Sequence, residues 1–219
     1  MAGAAPYELT PLQRDLLRAF FDRERGFFLT GGAALVQYYL HHRETEDLDL
    51  FATEDAAFAR GRHALAGAAA ALGSTLEARQ DAPDFKRFAV ARGAELVVVD
   101  LVRDRSPQLH PDKVEIDGVR VDPLDEIAAN KLTTLVGRME ERDLVDLFAL
   151  EQSGTRTEDL LDAALAKDGG CTAATLAWLL SDLRIAEGTR LPRGIDAVEL
   201  ETWRADLVRR LRRAAVPHG

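Results

Sequence analysis

Cysteine is almost absent. Cys171 is the single one in 219 residues, so no internal disulfide can form, which fits a reducing compartment or indifference to redox and reads as a buried structural thiol. Aromatic residues make up only 6% of the chain while hydrophobic residues reach 47%, so the expected core is helix-rich and built from small and aliphatic side chains. Positive charge is also short. Lys and Arg number 28 against 37 Asp and Glu, a formal charge of −9, which excludes a globally basic nucleic-acid coat. No run approaches the roughly 18 apolar residues of a membrane span, so no membrane partner is expected. The first residues, Met1 to Glu8, lack the basic and long apolar regions of a signal peptide, and the expected home is the cytoplasm.

What is present is a change of pattern along the chain. Thr10-Pro11 opens an amphipathic helix through Leu12, Leu16, Leu17, Phe20 and Phe21, with Thr as N-cap and Pro in the first turn. Phe27-Phe28-Leu29 predicts a short buried strand, Thr30-Gly31-Gly32 a turn, and Ala33 to His41 a helix. Asp47-Leu48-Asp49-Leu50-Phe51 alternates with period two, so a half-buried strand is predicted with both acids on one face. An Ala-rich helix from Ala56 to Leu72 precedes three strand candidates, Ser74 to Gln80, Phe85 to Ala91 and Glu95 to Val102, for a sheet of about five strands. Val114 to Val121 around Asp117-Gly118 predicts a small hairpin. Beyond Pro123 helix follows helix: Leu124 to Val136, Glu140 to Leu150, Thr157 to Ala166, Ala173 to Leu183 and Val198 to Ala214, broken by a Gly/Pro-punctuated loop at Gly188 to Gly194. The fold class is α+β, a mixed sheet with flanking helices over residues 1–122 followed by a helical C-terminal lobe over 123–219.

Asp47 and Asp49 come about fifteen residues after the Gly-Gly turn. Two carboxylates so close repel unless they are solvated or share a cation, and a hard ion such as Mg²⁺ takes one or two carboxylates while phosphate oxygens fill other positions. Thr30-Gly31-Gly32 lies between strand and helix, where backbone without side chains lets a phosphate approach closely. A third acid, Asp100, interrupts the apolar strand Leu96 to Val102, and a carboxylate there is expensive unless paired or metal-bound. Three acids on neighbouring strands are able to hold one or two Mg²⁺ ions for phosphoryl or nucleotidyl transfer, with Asp100 also a candidate general base. Further on, Lys131, Arg138, Arg142 and Asp146 stay within about a quarter turn of one another on an unbroken helix at about 100° per residue. Such a stripe suits phosphate oxygens, with the lysine held by an acid further along.

The set resembles a known family. Gly31-Gly32 with Leu35, then Arg43-x-Thr45-x-Asp47-Leu48-Asp49, then Asp100 in an apolar strand, then Lys131 with Leu135, Arg138, Arg142, Asp143 and Asp146-Leu147 is similar to the AbiEii/AbiGii toxin family of nucleotidyltransferases. That family belongs to the polymerase-β-like superfamily and includes MenT-like toxins. The resemblance implies transfer of NMP from an NTP co-substrate with release of pyrophosphate. It implies metal binding by Asp47, Asp49 and Asp100, phosphate contact at Thr30, Gly31 and Gly32, and nucleotide contact by Lys131 and Arg142. Asp146 is the last catalytic acid it implies, with Asp143 an open alternative, and Arg87 corresponds to a basic strand position.

The acceptor is less determined. The 3′ end of tRNA is the expected one, in a type IV toxin-antitoxin system with a cognate antitoxin, and Arg204, Arg209, Arg210, Arg212 and Arg213 on the last helix offer a local basic edge. The alternatives are a small-molecule, aminoglycoside-like acceptor and a nucleotide-binding module without turnover.

Overall fold

The computed structural model describes residues 7–138, 140–183, 185, 191, 192 and 194–216. They form two compact units, the first running to Arg105 and including His110–Pro123, the second made of Ser106–Leu109 and the chain from Leu124 onward.

The first unit opens with α1 (Pro11–Phe21). Its start is a capping box: Gln13 N–H donates to Thr10 Oγ1 at 3.3 Å and Thr10 N–H donates to Gln13 Oε1 at 2.8 Å. Strand β1 (Phe27–Thr30) leads into a short α2 (Gly31–Ala34) and a π-helical turn over Leu35–Tyr39. Then come β2 (Asp47–Ala52), α3 (Asp55–Ala71), β3 (Thr75–Ala82), β4 (Phe85–Arg92) and β5 (Glu95–Arg103). The hairpin β6 (Val114–Ile116) and β7 (Val119–Val121) completes the unit. Asp117 and Gly118 at its tip both have positive φ, 52° and 80°, as a tight two-residue hairpin turn requires.

Among the described residues seven strands join one mixed sheet in the order β3-β4-β5-β2-β1-β7-β6. The α+β class is as expected, but the sheet is larger than the five strands read from periodicity. The hairpin does not stand apart: β7 pairs in parallel with β1 at Leu29↔Val121, which buries Val119 and Val121.

Period two decides the faces. Phe27, Leu29, Leu48, Leu50, Val99, Leu101 and Val121 are buried on one face, each such side chain contributing roughly 1.5–3 kcal/mol. Helices α1 and α3 cover that face. Phe20 of α1 meets Phe27 edge-on at a centroid distance of 5.3 Å, and a Cβ on Gly61 of α3 would come within 2.5 Å of the Phe27 ring. The opposite face carries Asp47, Asp49 and Asp100, because β2 and β5 alternate in step.

The second unit is helical: α4 (Leu124–Gly137), α5 (Glu141–Gln152), a 3-10 turn over Thr157–Leu160, α6 (Leu161–Lys167), α7 (Ala173–Asp182) and α8 (Ala197–Ala214). Asp196 caps α8, accepting from the N–H groups of Val198 at 2.8 Å and Glu199 at 3.0 Å. Cys171 is fully buried, and burial pushes its thiol pKa up to about 11, as befits an inert structural cysteine. The expected loop at Gly188 to Gly194 lies, apart from 191, 192 and 194, outside the described residues. Among those residues no helix is long and apolar enough to cross a membrane.

The helical stripe needs correction. Helix α4 ends at Gly137 and α5 begins only at Glu141, so Lys131 and Asp146 lie on separate helices rather than on one continuous face. Gly137 lacks the side-chain restriction that would hold the helix through this point.

Candidate functional site

The site is built on β2, the central strand. Register places Thr30 of β1 opposite Asp49, Asp49 opposite Asp100 of β5, and Asp100 opposite Arg87 of β4. Partners across a ladder share a face, so one row of the sheet reads Thr30, Asp49, Asp100, Arg87. Asp47 stands two residues before Asp49, on the same side.

The turn after β1 is shaped around Asp49. Gly31 has φ +65°, a left-handed conformation that other residues adopt only with strain, and a Cβ there would collide with the Asp49 carboxylate. A Cβ on Gly32 would collide with the Arg43 guanidinium instead. Thr30 is extended, at φ −136° and ψ −167°. It is 3% exposed, and its hydroxyl has no hydrogen-bond partner among the described residues. An unsatisfied buried hydroxyl on the row of Asp49 is costly, about 1–3 kcal/mol, and it is a candidate contact for an oxygen-bearing ligand. Carboxylate oxygens, a hydroxyl and a cradle that any side chain at Gly31 would fill together suit a hard divalent ion and a phosphate.

Asp100 is 5% exposed, yet it does not lie in the apolar core. It emerges on the face opposite Val97, Val99 and Leu101, and Arg87 binds it in a fork, Nε to Oδ1 at 2.8 Å and Nη2 to Oδ2 at 2.7 Å. The hydrogen bond to Asp100 raises the Arg87 pKa further above its ordinary value against the effect of burial, and the negative charges of Asp100, Asp47 and Asp49 add to the rise. Among the described residues, no group of three or more acid, His or Cys side chains converges as a metal cage. The three acids share a face, but Asp100 is turned into its pair with Arg87.

In the helical unit, Lys131 is 6% exposed and Asp143 and Asp146 are wholly buried. Lys131 Nζ lies 3.0 Å from Asp143 and 2.6 Å from Asp146. Both candidate acids are therefore used at once, one turn apart on α5. Arg138 approaches Asp143 at 3.9 Å, and Arg142 pairs with Glu140 at 2.5 Å where α5 begins.

Two features escape a linear reading. Arg43 is 8% exposed and packed against the Gly32 backbone; its place in Arg43-x-Thr45-x-Asp47 is the only sequence signal for it. Lys113 and Asp122, both buried, pair at 2.7 Å. Lys113 also stands 4.3 Å from the centre of the Phe28 ring. The Asp122 N–H donates to Leu29 O at 2.9 Å, so this pair adjoins Thr30.

The basic edge on α8 is narrower than its arginine count suggests. Arg210 binds Glu151 and Glu158 at 2.6 Å each and Asp206 at 2.9 Å. Arg204 pairs with Glu201 at 2.7 Å and Arg209 with Asp206 at 2.8 Å. Arg212 and Arg213 are exposed.

Comparison with known proteins bears on the fold and the family. Two solved structures from Helicobacter pylori share the fold. JHP933 superposes with a TM-score of 0.62 at 20% identity, covering 93% of this chain and 90% of that one. A second protein, provisionally assigned as a nucleotidyltransferase, gives a TM-score of 0.59 at 20% identity over 95% and 96%. No curated protein matches significantly in sequence. The profile of the family described as nucleotidyl transferase AbiEii toxin, type IV toxin-antitoxin system, matches residues 14–216. That span takes in the Gly-Gly turn, the paired acids of β2, Asp100 and the Lys131 cluster, and the chain belongs to the AbiEii nucleotidyltransferase toxin family.

Proposed function

We propose that this nucleotidyltransferase moves NMP from an NTP to the 3′ hydroxyl of a tRNA, with Mg²⁺ as its metal. The observation that carries the reading is the row Thr30, Asp49, Asp100, Arg87 beside Asp47 and the Gly31 turn. The acceptor oxygen attacks the α-phosphorus, the bond from that phosphorus to the α–β bridging oxygen breaks, pyrophosphate leaves with the electron pair, and the hydroxyl proton passes to solvent. Asp47 and Asp49 would hold a divalent ion, with Asp100 the third acid of the set, and the ion when bound offsets charge on the phosphate oxygens. Thr30 and the Gly31-Gly32 backbone accept the phosphates at close range. Lys131 and Arg142 are the cations assigned to the nucleotide, as the resemblance implies. A toxin must strike a component that growth requires, which favours tRNA over a small drug-like acceptor, and a cognate antitoxin is the expected partner.

Incubation with Mg²⁺ and each labelled NTP, with and without total tRNA, tests this. Label should move to tRNA in one or two of the four reactions. Label on an aminoglycoside but not on tRNA would transfer the reading to a small acceptor, and no transfer to any acceptor would overturn it.

Gly31→Ala provides a sharper check of the turn. The left-handed φ costs about 1–2 kcal/mol in a non-glycine residue, equivalent to a fall in Tm of roughly 2–8 °C at this size. The new methyl would also displace the Asp49 carboxylate. Transfer should drop at least about tenfold, more than the stability loss explains. Wild-type transfer in a folded Gly31→Ala protein would show that the turn does not shape the site.

A further inference from the structure

Arg87 is the element of the site with no assigned task. Its side chain is 43% exposed while that of Asp100 beneath it is 7% exposed, so the guanidinium covers the carboxylate from the solvent side. The fork takes up both Asp100 oxygens. Asp47 and Asp49 are close enough that their charges also act on Arg87. A cation thus already stands at the end of the row of acids, bound to Asp100 and fixed by strand register rather than by a flexible loop.

We propose that Arg87 occupies the place of a second metal ion, so that the nucleotide-free protein binds a single divalent ion, on Asp47 and Asp49, while the guanidinium neutralises Asp100. The inference rests on the nucleotidyl-transfer reading of this face and specifies its metal content. Arg87 is a positioning residue in this scheme: it acts by holding Asp100 away from the ion. The planar fork that binds both oxygens is what makes arginine, rather than lysine, suited to the task.

The count of bound ions tests it without turnover. Mn²⁺ is titrated into nucleotide-free protein by calorimetry, and electron paramagnetic resonance distinguishes an isolated ion from a coupled pair. The wild type should bind one ion per chain with the spectrum of an isolated Mn²⁺. Arg87→Met and Arg87→Gln free Asp100 and should each bind two, with the broadening of a coupled pair, whereas Arg87→Lys keeps the charge and should bind one. Circular dichroism confirms folding, and either neutral variant suffices if the other is unstable. Two ions in the wild type, or one in both neutral variants, overturn the proposal while leaving the transferase reading intact. No binding by the wild type, or binding unchanged in Asp47→Asn and Asp49→Asn, removes the metal site itself and the proposal with it.

Discussion

Asp49→Asn should lower nucleotidyl transfer by at least about 10³-fold, equivalent to roughly 4 kcal/mol of barrier, while leaving the fold unharmed. Asp49 stands at the middle of the row, opposite Thr30 on one side and Asp100 on the other, with the Gly31 turn shaped against its carboxylate. Asparagine keeps the shape and removes the charge that would hold a divalent ion. Asparagine is isosteric with aspartate and still forms hydrogen bonds, so the fold should survive the change and Tm should stay close to that of the wild type. Loss of activity together with preserved or improved stability separates a functional acid from a structural one. Parallel measurement of transfer from labelled NTP and of thermal melting checks both halves. A rate within tenfold of wild type would sink the assignment of Asp49.

Lys131→Met should act in the opposite way, through the fold. Lys131 is enclosed with Asp143 and Asp146, both completely buried, at 3.0 and 2.6 Å. Removing the lysine leaves two carboxylates without their shared cation inside the helical unit. Breaking a buried pair on one side costs about 3–5 kcal/mol, a fall in Tm on the order of 10 °C for a chain of this size. Denaturant unfolding of wild type and variant measures it. Adding Asp143→Asn and Asp146→Asn to Lys131→Met should recover much of the loss, since the orphaned charges disappear. A Lys131→Met protein as stable as wild type would show that the cluster contributes nothing to folding. Lost transfer in a Lys131 variant therefore carries information on nucleotide contact only when set against its stability.

The paired acids of β2, the glycine turn and the order of α and β segments were legible in the sequence. Each is written in a few adjacent residues: period two in Asp47 to Phe51 decides which side the acids take, and Thr10-Pro11 sets the start of α1. The hairpin at Asp117-Gly118 was legible for the same reason, but not its union with β1, since nothing local specifies the strand it joins. Asp100 looked like a charge stranded in an apolar strand. Its partner, Arg87, comes thirteen residues earlier, and only the antiparallel register of β4 and β5 sets them face to face.

The same division runs through the charges. Composition alone excluded a uniformly basic surface, and the residues at β1, β2 and α4 were enough to resemble the family that the chain belongs to. Which charges are spent internally was decided only by tertiary structure. The break after Gly137 lets Lys131 meet both Asp143 and Asp146, and Arg204, Arg209 and Arg210 turn to neighbouring acids instead of forming an open basic edge. Periodicity and turn chemistry act over a handful of bonds and are written locally. Neutralisation of a charge depends on which residue the finished fold sets within about 3–4 Å, and strand register and helix packing settle that over many residues at once.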